Sequence, residues 1–203
     1  MRTRTIVAAL LLVAACTKGS GENLEPVNVR PTGSPLPLGK EDLTLTAGRW
    51  VSPDGFVPPL SVLVGTGWTS VHRYGDFFDV GRTDPRKDAP LVAVAFSVSA
   101  AASVDAAVTE IRNAAGNAAG SAVADPLGTL PATRFDVVGG SGTVYRSRDG
   151  NLGLDADPDQ RLRFYVAAVS GSVVVAVVIV PDQTAWTARL SDAVPVLASL
   201  ATS

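Results

Sequence analysis

The chain holds one cysteine, one histidine and one methionine among its 203 residues, and the scarcity of the first two closes off a good deal of chemistry. A lone cysteine forms no internal disulfide and no thiolate metal cluster. With one histidine, a tetrahedral zinc site would have to draw nearly all its ligands from carboxylates. Nucleophilic catalysis of the Ser-His-Asp kind has only His72 to serve as base. Charge is sparse as well: 18% of residues are charged, the net charge is −2, and no basic run occurs. A nucleic-acid partner held through its phosphates is therefore not expected. Glutamate is confined to Glu22, Glu25, Glu41 and Glu110.

Catalytic and cofactor signatures are missing in the same way. Gly139-Gly140-Ser141-Gly142 does not complete a Gly-x-Ser-x-Gly nucleophile elbow and reads as a connection between strands. Lys18, Lys40 and Lys87 follow Ala15, Pro37 and Asp84 at a distance of three, so no Ser-x-x-Lys is present. Gly39-Lys40 is followed by Glu41 where a phosphate loop needs Ser or Thr. No cofactor is expected.

What the chain does have is apolar residue, 46% of the total, together with 19 Gly and 14 Pro. A domain of about 150 residues buries about 68–70% of its unfolded surface and holds a core without disulfide or metal.

The first residues form an export leader. Arg2 and Arg4 are a positive start, and Thr5 to Ala15 is uncharged. As a helix that stretch would span about 16 Å, roughly half of a bilayer's hydrocarbon core, which is too short to cross it. Its end, Val13-Ala14-Ala15-Cys16, resembles a bacterial lipobox: an apolar residue, two small ones, then cysteine. The resemblance implies cleavage before Cys16 and a diacylglyceryl group on its thiol, and two acyl chains or more give stable anchoring. Residues 1–15 are read as a lipoprotein signal peptide. Residues 16–42, rich in Pro and Gly, are read as the lipidated Cys16 and a flexible tether that cannot bury enough surface to offset its ordering entropy. Residues 43–203 are read as one globular domain. Arg outnumbers Lys 14 to 3 and Ala is abundant, a composition that points to a GC-rich, actinobacterial source.

In the domain, strand signals dominate. Strands are expected at Arg49–Val51, Leu60–Val64, Thr69–Arg73, Phe77–Val80 and Leu91–Val98. The last is a nearly continuous apolar run and so should be a central strand. Gly65–Trp68 reads as a turn and Gly81–Asp88 as a polar loop. The period then becomes helical: Val104, Ala107, Val108, Ile111 and Ala115 share a face, Ser103 is the N-cap and Gly116 the stop. Further strands are expected at Ala132–Val138, Thr143–Arg146, Arg161–Val169 and Val173–Val180, the last two joined by Ser170-Gly171-Ser172. A helix from about Asp182 to Leu200 closes the chain, capped by Asp182 or Thr184, with Trp186, Leu190, Ala193, Leu197 and Leu200 facing inward and Pro195 set to kink or shorten it. The fold class is α+β, an antiparallel sheet sandwiched with two main helices.

The order of these features, with Pro58-Pro59-Leu60-Ser61-Val62-Leu63-Val64 leading to Gly67-Trp68 and Val178-Ile179-Val180-Pro181-Asp182 leading to the terminal helix, resembles the Mog1/PsbP-like α/β/α sandwich, including small actinobacterial lipoproteins built on it. The resemblance covers roughly residues 48–200. It implies a non-enzymatic protein-binding or adaptor module and carries over no catalytic residue.

Individual candidates are few. His72 is expected at a strand end, on or near the surface. Asp155, Asp157 and Asp159 alternate like the start of a calcium loop, yet Gln160 and Val166 stand where that loop needs Gly and Glu, so a solvated acidic loop is the reading. Trp50, Trp68 and Trp186 are expected in the core, with a ligand cleft as the alternative. Glu110 sits on the polar side of its helix. The function expected is that of a lipid-anchored protein on the outer face of the cytoplasmic membrane, binding a protein partner in the cell envelope. The alternative is a carrier for a lipid or other apolar ligand, which needs a cavity beneath the Ala-rich helix around Ala106, Ala107, Ala114 and Ala115. A hydrolase built on carboxylates alone is a third reading and would need a pocket lined by two of them.

Overall fold

The structure, a computed structural model, describes residues 36–37, 43–84, 86 and 89–203. The leader, Cys16, most of the expected tether and Pro85, Lys87 and Asp88 lie outside the described residues. In chain order the elements are β1 (Leu36–Pro37), β2 (Leu43–Leu45), β3 (Gly48–Val51), β4 (Leu60–Val64), β5 (Trp68–Ser70), β6 (Arg73–Tyr74), β7 (Phe77–Asp84) and β8 (Ala89–Val98). Helix α1 (Val104–Ala115) follows, then β9 (Val123–Ala124), β10 (Ala132–Val138), β11 (Thr143–Arg146), β12 (Gly153–Asp155), β13 (Arg161–Val169), β14 (Ser172–Val180), α2 (Trp186–Ala198) and β15 (Ala201–Thr202).

The main sheet runs in the order β2-β5-β7-β8-β14-β13-β10-β9, with β6 paired to the start of β7. Every pairing in it is antiparallel. Its centre is β8 and β14, and both faces of that centre are covered, which is why Val173–Val180 is apolar throughout and Leu91–Val98 is apolar apart from the buried Ser97. Alternation sorts β14 cleanly: Val173, Val175 and Val177 face α1, while Val174, Ala176, Val178 and Val180 face α2. On the α2 side, Phe56, Phe78 and Phe96 pack in succession at 5.0 Å between ring centres. The small sheet β1-β3-β4-β15 closes this layer, with Trp50, Leu60 and Val62 in the same core. On the α1 side, Phe135 and Phe164 stack at 5.2 Å under Ile111 and the β11–β12 hairpin. The architecture is α+β: one antiparallel sheet with a helix on each face.

Local chemistry explains the boundaries. The Ser103 hydroxyl accepts from the Ala106 N–H at 3.1 Å, and Gly116 at φ 55 ends α1. Ser170 and Gly171 have φ 47 and 83, the double positive φ that a tight two-residue hairpin needs, and β13 pairs with β14 from Arg161↔Val180 to Val169↔Ser172.

Several expectations are corrected. The strand expected over Thr69–Arg73 is interrupted at Val71 and His72, because the Asp79 carboxylate takes both their N–H groups at 3.1 and 3.0 Å in place of a ladder. Trp68 opens β5 rather than ending a turn. The polar loop expected from Gly81 begins later, since β7 stays paired with β8 as far as Asp84↔Ala89. Pro195 lies inside α2 on its exposed side, and the helix ends at Ala198, short of the expected Leu200. Asp182 does not cap α2: it accepts from the Thr184 N–H at 2.9 Å and caps a separate 3₁₀ turn, Gln183–Ala185, and α2 starts after Ala185 with no side-chain cap. Leu36–Pro37, within the segment read as tether, pairs in parallel with Trp50–Val51. The acidic stretch after Asp149 contains a strand, β12, paired with β11 through Tyr145↔Leu154.

Candidate functional site

Among the residues singled out in the sequence, Cys16, Glu22, Glu25 and Glu41 lie outside the described residues. His72 is on the surface, with Nδ1 2.7 Å from Asp79 Oδ2 and its ring stacked on Phe77. Trp50, Trp68 and Trp186 are all buried in the α2-side core. The three aspartates do not converge. Asp155 accepts from the Thr143 hydroxyl at 2.6 Å within the hairpin, while the backbone carbonyls of Asp157 and Asp159 accept from Gln160 and Gln183. Among the described residues no three His, Cys, Asp or Glu side chains are grouped to hold a metal.

Among the described residues, two concavities stand out. The first, of about 360 Å³, lies between α1 and β11. Ala107, Ile111 and Ala114 form its helix wall and Val144 its floor, with Glu110 and Arg146 at its border. The Tyr145 hydroxyl lies 2.9 Å from the Ser97 hydroxyl. Burial pushes the phenol well above its ordinary value, with only partial relief from the Ser97 hydrogen bond, so Tyr145 stays protonated and is no base. This groove sits where the small side chains of α1 leave room, beneath the Ala-rich helix.

The second, of about 370 Å³, lies at the β9 end of the main sheet. Arg134, Asp136 and Val138 alternate along β10, and Arg161 and Arg163 along β13, so all project from one face. Asp136 binds both arginines of β13: Arg161 Nη2 donates to Oδ2 at 2.6 Å, while Arg163 donates from Nε to Oδ1 at 2.7 Å and from Nη2 to Oδ2 at 3.0 Å. Burial alone would raise the Asp136 carboxyl, but the hydrogen bonds and charges of Arg163 and Arg161 outweigh it and hold it below the usual range. Arg163 is raised by the same pairing. The Trp186 ring lies beneath both guanidinium groups, 4.4 Å from Arg161 and 5.1 Å from Arg163. Arg134 pairs with Asp125 at 2.6 Å. Val123 and Val138, 42% and 44% exposed, flank the cleft.

No protein-family model matches the chain, and no curated protein matches it. Among solved structures, the chain is similar to a protein from Bacteroides thetaiotaomicron VPI-5482, at 13% identity and a TM-score of 0.45. The match covers 78% of this chain and 49% of that one, so this chain spans about half the length of that structure. A likeness of that size carries no argument about function.

Chemically, the edge cleft is made of fixed charges rather than titrating groups. The pairing of Asp136 with Arg163 favours the charged form of both and makes a surface suited to recognition. Neither concavity is lined by two carboxylates, the feature a carboxylate hydrolase requires. No motif in the sequence marks Arg134, Asp136, Arg161 or Arg163 as a site. A weaker signal was there: arginine or aspartate at every second place on strands whose intervening residues, Phe135, Val137, Leu162 and Phe164, are all core.

Proposed function

We propose that the chain is a cell-envelope lipoprotein, anchored to the outer face of the cytoplasmic membrane through a diacylglyceryl group on Cys16, whose domain docks a protein partner. The leader and lipobox support the anchor. No helix of the described residues is long and apolar enough to cross a membrane. One helix on each face of an antiparallel sheet supports reading the domain as Mog1/PsbP-like. The observation that carries the docking reading is the edge cleft, where two exposed valines flank a cluster of arginines with charges fixed in place. Proteins bind one another through apolar contact rimmed by such charged groups, and arginine is enriched where they meet.

A second reading, a carrier of a lipid or other apolar ligand, is favoured by the groove under Ala107 and Ala114. Mass spectrometry of the full chain from its host membrane tests both. The anchor requires a chain that begins at Cys16 and carries acylglycerol there, and a Cys16→Ala chain that keeps residues 1–15 unacylated. A wild-type chain that starts elsewhere, or starts at Cys16 without acyl mass, overturns it. A further lipid held non-covalently by the wild-type chain moves the carrier reading ahead of docking.

A further inference from the structure

The edge cleft holds more positive than negative charge, although the chain as a whole has a net charge of −2. Arg134, Arg161 and Arg163 face Asp125 and Asp136, which leaves one cation in excess. Asp125 is taken by Arg134, and both oxygens of Asp136 are occupied by Arg161 and Arg163. Arg161 commits only Nη2 to that pair, and its side chain is 30% exposed. A guanidinium presents five donors in a fixed fork, so Arg161 keeps capacity for a second carboxylate. Trp186 holds that guanidinium flat from below, and its position is set before any ligand arrives.

The geometry points to an acidic segment of the protein partner as the occupant of this cleft, an inference that rests on the docking reading above. An extended chain lying along β10 places alternate side chains about 6.6–6.8 Å apart, the same step that separates Arg134, Asp136 and Val138. Its carboxylate meets Arg161 while neighbouring apolar side chains rest on Val138 and Val123. A glutamate or aspartate side chain supplies the planar, bidentate anion that an arginine fork matches. The cleft is open along the sheet edge rather than enclosed, which suits a segment of a larger protein and would leave a small free acid mostly in water.

The test is fluorescence anisotropy on the full chain in a mild non-ionic detergent. The probes are a fluorescein-labelled peptide that carries valine, glutamate and valine at every second position, with serine between them, and its twin with glutamine for glutamate. The glutamate peptide should bind at least about tenfold more tightly, with the difference shrinking as salt is raised. Arg161→Gln should abolish the difference, and Arg161→Lys, which keeps the charge and loses the fork, should reduce it. Should Arg161→Gln fail to fold, Arg134→Gln, at the far end of the cleft, should weaken the glutamate peptide alone. Equal binding of the two peptides, binding of neither, or a preference that survives Arg161→Gln overturns the inference. Docking itself fails separately, if cross-linkers placed at Val123 and Val138 capture no protein in intact cells.

Discussion

Asp76 and Asn151 lie 75 residues apart and meet inside the fold, where the Asn151 side-chain amide donates to Asp76 Oδ1 at 2.7 Å. The Asp149 N–H donates to the other oxygen at 2.8 Å, so one buried carboxylate fastens the tip of the β11–β12 hairpin to the turn between β6 and β7. That hairpin forms one wall of the α1 groove. Burial would raise the Asp76 carboxyl, yet hydrogen bonds from Ser147, Asn151 and Asp149 together hold it below its ordinary value. Asp76→Asn removes an acceptor and sets an amide against the Asp149 N–H, at an expected cost of about 2–3 kcal/mol in urea unfolding with an unchanged slope. Because the folded pKa is depressed, the carboxylate's contribution is fully present above about pH 4, where the unfolded chain ionises, and is lost as pH falls through the folded value. The gap between wild type and Asp76→Asn should therefore close in acid. A gap that stays constant from neutral pH into strong acid contradicts the assignment.

Asp136 and Arg161 should differ in cost although they touch. Asp136→Ala leaves the mostly buried Arg163 without its anion, with an expected loss of about 3 kcal/mol. Arg161→Gln leaves Asp136 still held by both bonds from Arg163 and should cost about 1 kcal/mol or less. Chemical denaturation of the two variants checks the order. Equal losses would mean that Arg163 does not depend on Asp136.

Gly128 at φ 61 lies against the C-terminal end of the chain, where an added Cβ would collide with the Leu200 carbonyl. Gly128→Ala meets strain from both the backbone and that contact. The expected cost is about 3 kcal/mol, read as a fall of roughly 6–12 °C in Tm. A Tm within a degree of wild type contradicts the close approach.

Tyr145 stays protonated in the fold because burial outweighs the relief from Ser97. A raised folded pKa contributes stability that is complete below about pH 10 and is lost as pH rises through the folded value. Tyr145→Phe should lose about 1 kcal/mol at neutral pH from the broken hydrogen bond. Its stability should also decline less than that of wild type above pH 10, as followed by denaturant midpoints across the alkaline range.

Much of the fold is legible in the sequence wherever one signal dominates. Leu60–Val64, Ala132–Val138 and Arg161–Val169 are bounded by turn residues and form strands with those ends. Ser103 and Gly116 bracket α1 because a hydroxyl cap and a positive-φ glycine have few other uses at those positions. What escaped depends on distant partners. The break at Val71 and His72 is made by Asp79 from the next strand, and no local pattern announces it. Strand β12 did carry a signal, since Leu152, Leu154 and Ala156 alternate with exposed residues, but the run of aspartates around it read as loop. The edge cleft was hidden for a similar reason: Asp136 and Arg163 come together only through the β10–β13 register. The resemblance of Val13–Cys16 to a lipobox is the reverse case, a short motif read from sequence alone in residues that lie outside those described.

Photo-cross-linking in intact cells decides whether the edge cleft docks a protein, with the reactive side chain placed in turn at Val123, Val138 and, as a control on the outer side of α2, Val194. One protein adduct shared by positions 123 and 138 is expected, absent from 194 and lost when Arg161→Gln is added. Adducts of equal strength from position 194, adducts that survive Arg161→Gln, or adducts to lipid alone would contradict docking at this edge.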